Sequence, residues 1–171
     1  MTTTFILAVL ILLSYTIFLI INFGVLPSFS HSWYKLKEIG FGWVFQVVLG
    51  SVAMLMLVTM VDLTFGQWWQ FVSFFVAAPL LFVAAAPDFE TGGLATNTHK
   101  YAAILSGIFS IVWVMLASTS ISPNAWMNIP VMAVLMGLCY YANKQQNGLW
   151  WAEYASFGWL ILSVGVGISW R

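Results

Sequence analysis

Residues 5–26 read FILAVLILLSYTIFLIINFGVL, an apolar run without one charged side chain. An α-helix needs about 20 such residues to cross the ~30 Å of bilayer hydrocarbon, and this run supplies them. A cleaved leader would show a basic start, an apolar core of about 7–15 residues and a small-residue cleavage site. Here MTTT precedes the run, Leu26-Pro27 ends it, and no Lys or Arg stands before it. The stretch therefore predicts a retained membrane helix.

Further apolar runs follow at 41–61, 68–87, 101–121, 125–142 and 149–170. Strands of a membrane barrel alternate apolar and polar residues, and these runs do not. Helices are the remaining way to satisfy backbone groups in lipid. The expected architecture is an all-α, polytopic bundle of six spans forming one domain over 1–171. Pro79 and Pro130 fall inside runs, where neighbouring helices can re-satisfy freed carbonyls.

Composition agrees. The chain is 62% hydrophobic and 6% charged, whereas a soluble domain needs about a quarter of its residues charged. Aromatics make up 18%, with ten Trp, as expected of belts at the two headgroup layers. A net charge of zero gives no sign of a nucleic-acid partner. The single cysteine, Cys139, excludes an intramolecular disulfide and fits no CxxC motif.

Six spans send the connections alternately to two sides. One side receives the residues 28–40, 88–100 and 143–148, and with them Lys35, Lys37, Lys100 and Lys144; Arg171 goes to the other. The positive-inside rule places the lysine side in the cytoplasm, which puts both termini outside a cytoplasmic membrane. The cytoplasmic side also collects His31, Glu38, Asp88, Glu90 and His99, with Glu153 one turn inside the sixth span.

Three features carry chemistry. In PSFSHSWY, Ser28, Ser30, His31 and Tyr34 are suited to bind a headgroup, ligate a metal or supply a nucleophile and its base. Structurally, Ser after Pro is turn chemistry, and Trp33-Tyr34 is an interfacial anchor. In the segment PDFETGGLATNTHK, Asp88, Glu90 and His99 join that set if the two loops meet. His31, Asp88 and His99 are then candidate metal ligands, with zinc or manganese the ions they would suit. No compact HExxH spacing supports a metal, and a solvated loop explains the same residues. Glu153 is an ionisable group at membrane depth, functional by default, although a helix N-terminus also stabilises a carboxylate. It has Lys144 and His99 as expected partners.

Asn22, Gln46 and Asn128 are expected to bond between helices. Small residues four apart, Ala103/Gly107, Ser106/Ser110 and Ser163/Gly167, predict close helix approach within the bundle, or in a homo-oligomer. No single helix carries the continuous polar stripe of a pore.

The stretches PSFSHSWYKL and THKYAAILSGIFSIVW resemble matching places in small six-span bacterial and phage membrane proteins. The wider topology is similar to that of the Frag/DRAM/Sfk-type six-helix proteins. That resemblance implies an architecture and no defined activity, and it singles out Ser28, Ser30, Tyr34 and His99. It does not extend to His31, where many such proteins carry an acid.

Taken together, these residues lead to the expectation of a non-enzymatic bundle that binds a lipid, a small ligand or a membrane protein partner at its polar face. One alternative is a metal-dependent hydrolase of lipid amides or esters, with Glu90 or Glu153 as base. Another is a small transporter or oligomeric channel with Glu153 as coupling carboxylate.

Overall fold

The computed structural model describes residues 1–121 and 148–169. Helices dominate: α1 (Thr2–Phe23), α2 (Ser32–Glu38), α3 (Gly42–Leu63), α4 (Val72–Ala85), α5 (Gly93–Ser120) and α6 (Gly148–Ser169). Four of them, α1, α3, α5 and α6, are long and apolar enough to cross a membrane. Their outer faces expose Ile17, Val47, Ile108 and Leu162 among other large apolar residues. Water would penalise such flanks and hydrocarbon does not. The chain is a helical membrane protein.

The structure corrects the expected spans in two places. The run 68–87 does not fold as a full span. Residues 67–74 are held largely by bonds to the third residue back, such as Gln70 N–H to Gln67 O at 3.1 Å and Val72 N–H to Trp69 O at 2.9 Å. Gln70 Nε2 also donates to Val61 O at 3.0 Å, tying the turn to the end of α3. Helix α4 proper has 14 residues, or about 21 Å of rise. Pro79 lies inside it without ending it. Helix α5, by contrast, has 28 residues and starts at Gly93, so most of the expected polar loop 88–100 is helical. The expected span 125–142 and loop 143–148, apart from Gly148, lie outside the described residues.

Within the expected loop 28–40, α2 closes in a Schellman motif. Phe41 N–H reaches Leu36 O at 2.7 Å and Gly40 N–H reaches Lys37 O at 3.0 Å. Gly40 takes φ 83° there, a conformation that a side chain would strain.

Helix pairs fix the directions. Thr4 Oγ1 meets Thr59 Oγ1 at 2.9 Å, and the Met1 amine lies 3.5 Å from Asp62, so α1 and α3 are antiparallel. Trp113 Nε1 donates to Ser73 Oγ at 3.0 Å and Ser106 Oγ to Val76 O at 2.9 Å, across α5 and α4. Tyr154 meets Thr16 at 2.7 Å, while Gly167 sits so close to α3 that a Cβ there would stand 2.8 Å from Leu63 Cδ2. One end of the bundle, the near end below, thus gathers the end of α1, all of α2, the start of α3, the end of α4 and the starts of α5 and α6. Among the described residues Asn22 makes no bond between helices; it donates to Phe18 O in its own helix at 2.8 Å.

Candidate functional site

The site is built at the near end, where α1 stops. Residues after Pro27 wind through successive turns into α2, with His31 N–H on Ser28 O at 3.2 Å and Ser32 N–H on Phe29 O at 3.1 Å. Those turns drive the Phe29 ring into the core. It packs against Tyr15, Tyr154 and Phe157 edge-on, and against Phe45 and Trp150 at a tilt. The backbone of the turn is fastened to α6: Phe29 N–H donates to Glu153 Oε2, and Trp150 N–H to Pro27 O at 3.1 Å. Glu153 therefore partners a backbone amide rather than the expected His99; its other expected partner, Lys144, lies outside the described residues.

His99 comes from α5 and meets this turn. Its Nδ1 lies 2.9 Å from Ala86 O and its Nε2 lies 3.0 Å from Ser30 Oγ. A carbonyl only accepts, so Nδ1 carries the hydrogen and the neutral ring offers a lone pair at Nε2. Ser30 O–H must then donate to Nε2. The Ala86 carbonyl is available because Pro87 follows it: a residue before proline is pushed out of the α region, and Ala86 has φ −118° and ψ 65°. His99 is 5% exposed and Ser30 6%.

A second histidine is arranged on the outer side. His31 Nδ1 lies 3.2 Å from Ser28 Oγ, and its Nε2 lies 2.8 Å from Glu90 Oε1. Ser28 Oγ also accepts the His31 N–H at 3.2 Å, the local turn chemistry expected of Ser after Pro. The ring of Phe89 separates the two histidines, 5.3 Å from His31 and 4.9 Å from His99 between centroids.

Tyr34 and Asp88 close the arrangement. Tyr34 donates to Asp88 Oδ1 at 2.9 Å and accepts the N–H groups of Phe89 and Glu90 at 3.0 and 2.8 Å. Burial, together with the bond it donates to Asp88, pushes the Tyr34 hydroxyl above its ordinary range. At Asp88 burial pushes the carboxyl upward, but bonds from Tyr34 and from the Thr91 N–H outweigh it and hold the carboxyl below its ordinary range.

Ser28, Ser30, His31, Tyr34, Asp88, Glu90, His99 and Glu153 are thus brought to one end of the bundle, linked through the 27–31 turn and the 86–91 segment. They are not brought together as a metal cage. Among the described residues no three His, Cys, Asp or Glu side chains are placed to share an ion. Both ring nitrogens of His31 and of His99 are taken up by other partners, and Asp88 Oδ1 is held by Tyr34 and the Thr91 N–H.

Ser30 and Glu153 also line a cleft of about 510 Å³ between α4, α5 and α6. Leu80, Val83, Ile111, Phe157 and Leu160 make most of its wall apolar, and its size is that of a small-molecule site. Ala103, Ile104, Gly107 and Leu149 line it and are exposed, so the cleft opens on the flank of the bundle. Among the described residues a Cβ on Gly107 would meet nothing within 4 Å, so there the Ala103/Gly107 pair, expected to allow close helix approach, faces open space. Trp159 lines the same cleft, and its buried indole N–H has no partner among the described residues.

No family model, no curated protein and no solved structure matches the chain. Its chemistry has to be read from its own geometry. Sequence reasoning missed the Ala86 carbonyl, Trp159, and the buried Tyr15–Ser32 contact at 2.7 Å. A hydroxyl within the apolar run 5–26 was the available signal for Tyr15; the carbonyl left none.

Proposed function

We propose that this chain is a lipid-binding protein of the cytoplasmic membrane. The cleft takes an acyl chain of a bilayer lipid, with the lipid's polar part at the Ser30 and Glu153 end. The observation that carries it is the lining: mostly apolar, with scattered serines (Ser106, Ser110, Ser156), and with one ionisable side chain, Glu153, beside Ser30 where the 27–31 turn meets α6. An amphiphile matches that lining, because the chain is sheltered by apolar wall while the polar part finds hydrogen-bonding partners. The mouth supports a bilayer source. It passes exposed residues of α5 and α6, helices apolar enough to cross a membrane, so an occupant need not cross water.

The finer topology belongs to the same proposal. Helix α1 starts and α6 ends beside the end of α3, so both ends of the described chain lie at the far end of the bundle. Lys35, Lys37 and Lys100 at the near end favour its facing the cytoplasm, with both termini outside. Exposed Trp43 and Trp151 near the site, and Phe65 and Trp68 at the far end, would then lie at the two headgroup layers. A Frag/DRAM/Sfk-type architecture is compatible with this arrangement and adds no activity to it.

Native mass spectrometry of detergent-purified protein titrated with dioleoyl phosphatidylglycerol tests the proposal. Wild type is expected to hold one lipid saturably. Gly107→Phe, which fills the cleft, should weaken binding about tenfold or more, equivalent to ~1.4 kcal/mol. Equal retention by both proteins would show that lipid binds elsewhere on the bundle.

A further inference from the structure

Resting on that lipid-binding proposal, we propose that Ser30 and His99 are a nucleophile and its base, and that the chain hydrolyses an ester-linked acyl lipid held in the cleft. Three observations carry this. First, the pair has the connectivity of an activated serine: nucleophile on one ring nitrogen, a fixed acceptor on the other. Here the Ala86 carbonyl holds the place often taken by a carboxylate, and it sets the tautomer that lets Nε2 receive the Ser30 proton.

Second, the serine is where a substrate is. Ser30 lines the cleft beside Glu153. The other serine–histidine contact lacks this property: Ser28 is 1% exposed, does not line the cleft, and is engaged in its own turn. Third, the cleft wall holds a buried donor with no partner among the described residues, the indole N–H of Trp159, which an oxygen-bearing occupant would satisfy.

The chemistry balances with water as the only co-reactant. Ser30 Oγ bonds to the acyl carbonyl carbon while its proton passes to His99 Nε2. The ester C–O bond breaks, and the leaving alcohol takes that proton. Water then attacks the acyl-Ser30 ester, giving a proton to His99. Ser30 Oγ leaves and recovers a proton, releasing a free carboxylic acid. Both groups are almost fully buried, so bulk water does not compete for the Ser30–His99 bond.

The full chain is reconstituted in dioleoyl phosphatidylglycerol vesicles and free oleic acid is followed by mass spectrometry. A parallel titration uses the ether-linked dialkyl analogue, which binds but offers no ester. Wild type should release oleic acid and form a fluorophosphonate adduct at Ser30. Ser30→Ala should reduce release about 100-fold or more, and His99→Gln should reduce both release and adduct formation by a similar factor, while ether lipid, held chiefly by the apolar wall, is still bound by each. Ether lipid bound by wild type with neither acid release nor adduct overturns the dyad and leaves lipid binding standing. Failure to bind the ether lipid overturns lipid binding itself. Release undiminished in Ser30→Ala, with ether lipid still bound, overturns the assignment of the nucleophile.

Discussion

Glu153 accepts the backbone N–H of Phe29 across 124 positions of chain, which fastens α6 to the turn that carries Ser30. The amide belongs to a buried residue and has that carboxylate as its partner. Glu153→Leu would leave it unsatisfied, at about 1–3 kcal/mol, while Glu153→Gln keeps an acceptor and should lose less. Thermal unfolding in detergent compares the two. Equal losses would mean that charge, and not the hydrogen bond, matters at 153.

Phe29 is the ring on which the near end turns. It is 2% exposed and touches aromatic side chains of α1, α3 and α6. Phe29→Ala should destabilise by about 3–5 kcal/mol, read as a fall in unfolding temperature. A loss below about 1 kcal/mol would show that the turn is held by its backbone bonds alone.

Two close-looking glycines should behave oppositely. At Gly167 an added Cβ comes within 2.8 Å of the fully buried Leu63, whereas at Gly107 it meets nothing. Gly167→Val is expected to cost about 1–3 kcal/mol through overpacking, and Gly107→Ala, in mid-helix, to stabilise by about 0.5–1 kcal/mol. The same melting assay decides. A neutral Gly167→Val would mean that Leu63 swings aside freely.

The Tyr34–Asp88 link has a defined pH window. Asp88 titrates lower in the folded chain than in the unfolded one, so its contribution is present above its ordinary pKa of ~4. It is lost as pH falls through the depressed value. Tyr34 is shifted upward, so its contribution holds below ~10 and is lost as pH rises through the raised value. Exchange protection at the Phe89 and Glu90 amides, corrected for intrinsic rates, should therefore be level at neutral pH and fall in acid. Asp88→Asn should flatten the acid limb. Protection that stays constant into acid in the wild type would remove Asp88 from the network.

Much of the helix pattern was legible, because uninterrupted apolar length is itself the physical requirement for crossing lipid. The runs 5–26, 41–61 and 149–170 match α1, α3 and α6 closely. Boundaries set by other forces were not. Helix α5 extends through Leu94 to Lys100, where helical backbone bonds persist although hydropathy does not. Helix α4 is short because the chain around Gln67–Gln70 is bound into turns against α3. The candidate residues were legible as types, since polar groups are so scarce here. Their meeting was not, because contact between residue 30 and residue 99 arises from helix packing and leaves no period in the chain.

The carbonyl that orients His99 belongs to residue 86, yet it owes its freedom to the pyrrolidine ring at 87. The arrangement has a participant with no side chain to remove. Replacing Ala86 by almost any residue leaves that oxygen in place, so a scan of substitutions would register silence at the position that aims the ring. The sensitive position is the proline next door. A lineage carrying this site could vary 86 freely while holding 87 fixed, and a search for invariant polar side chains would pass over both.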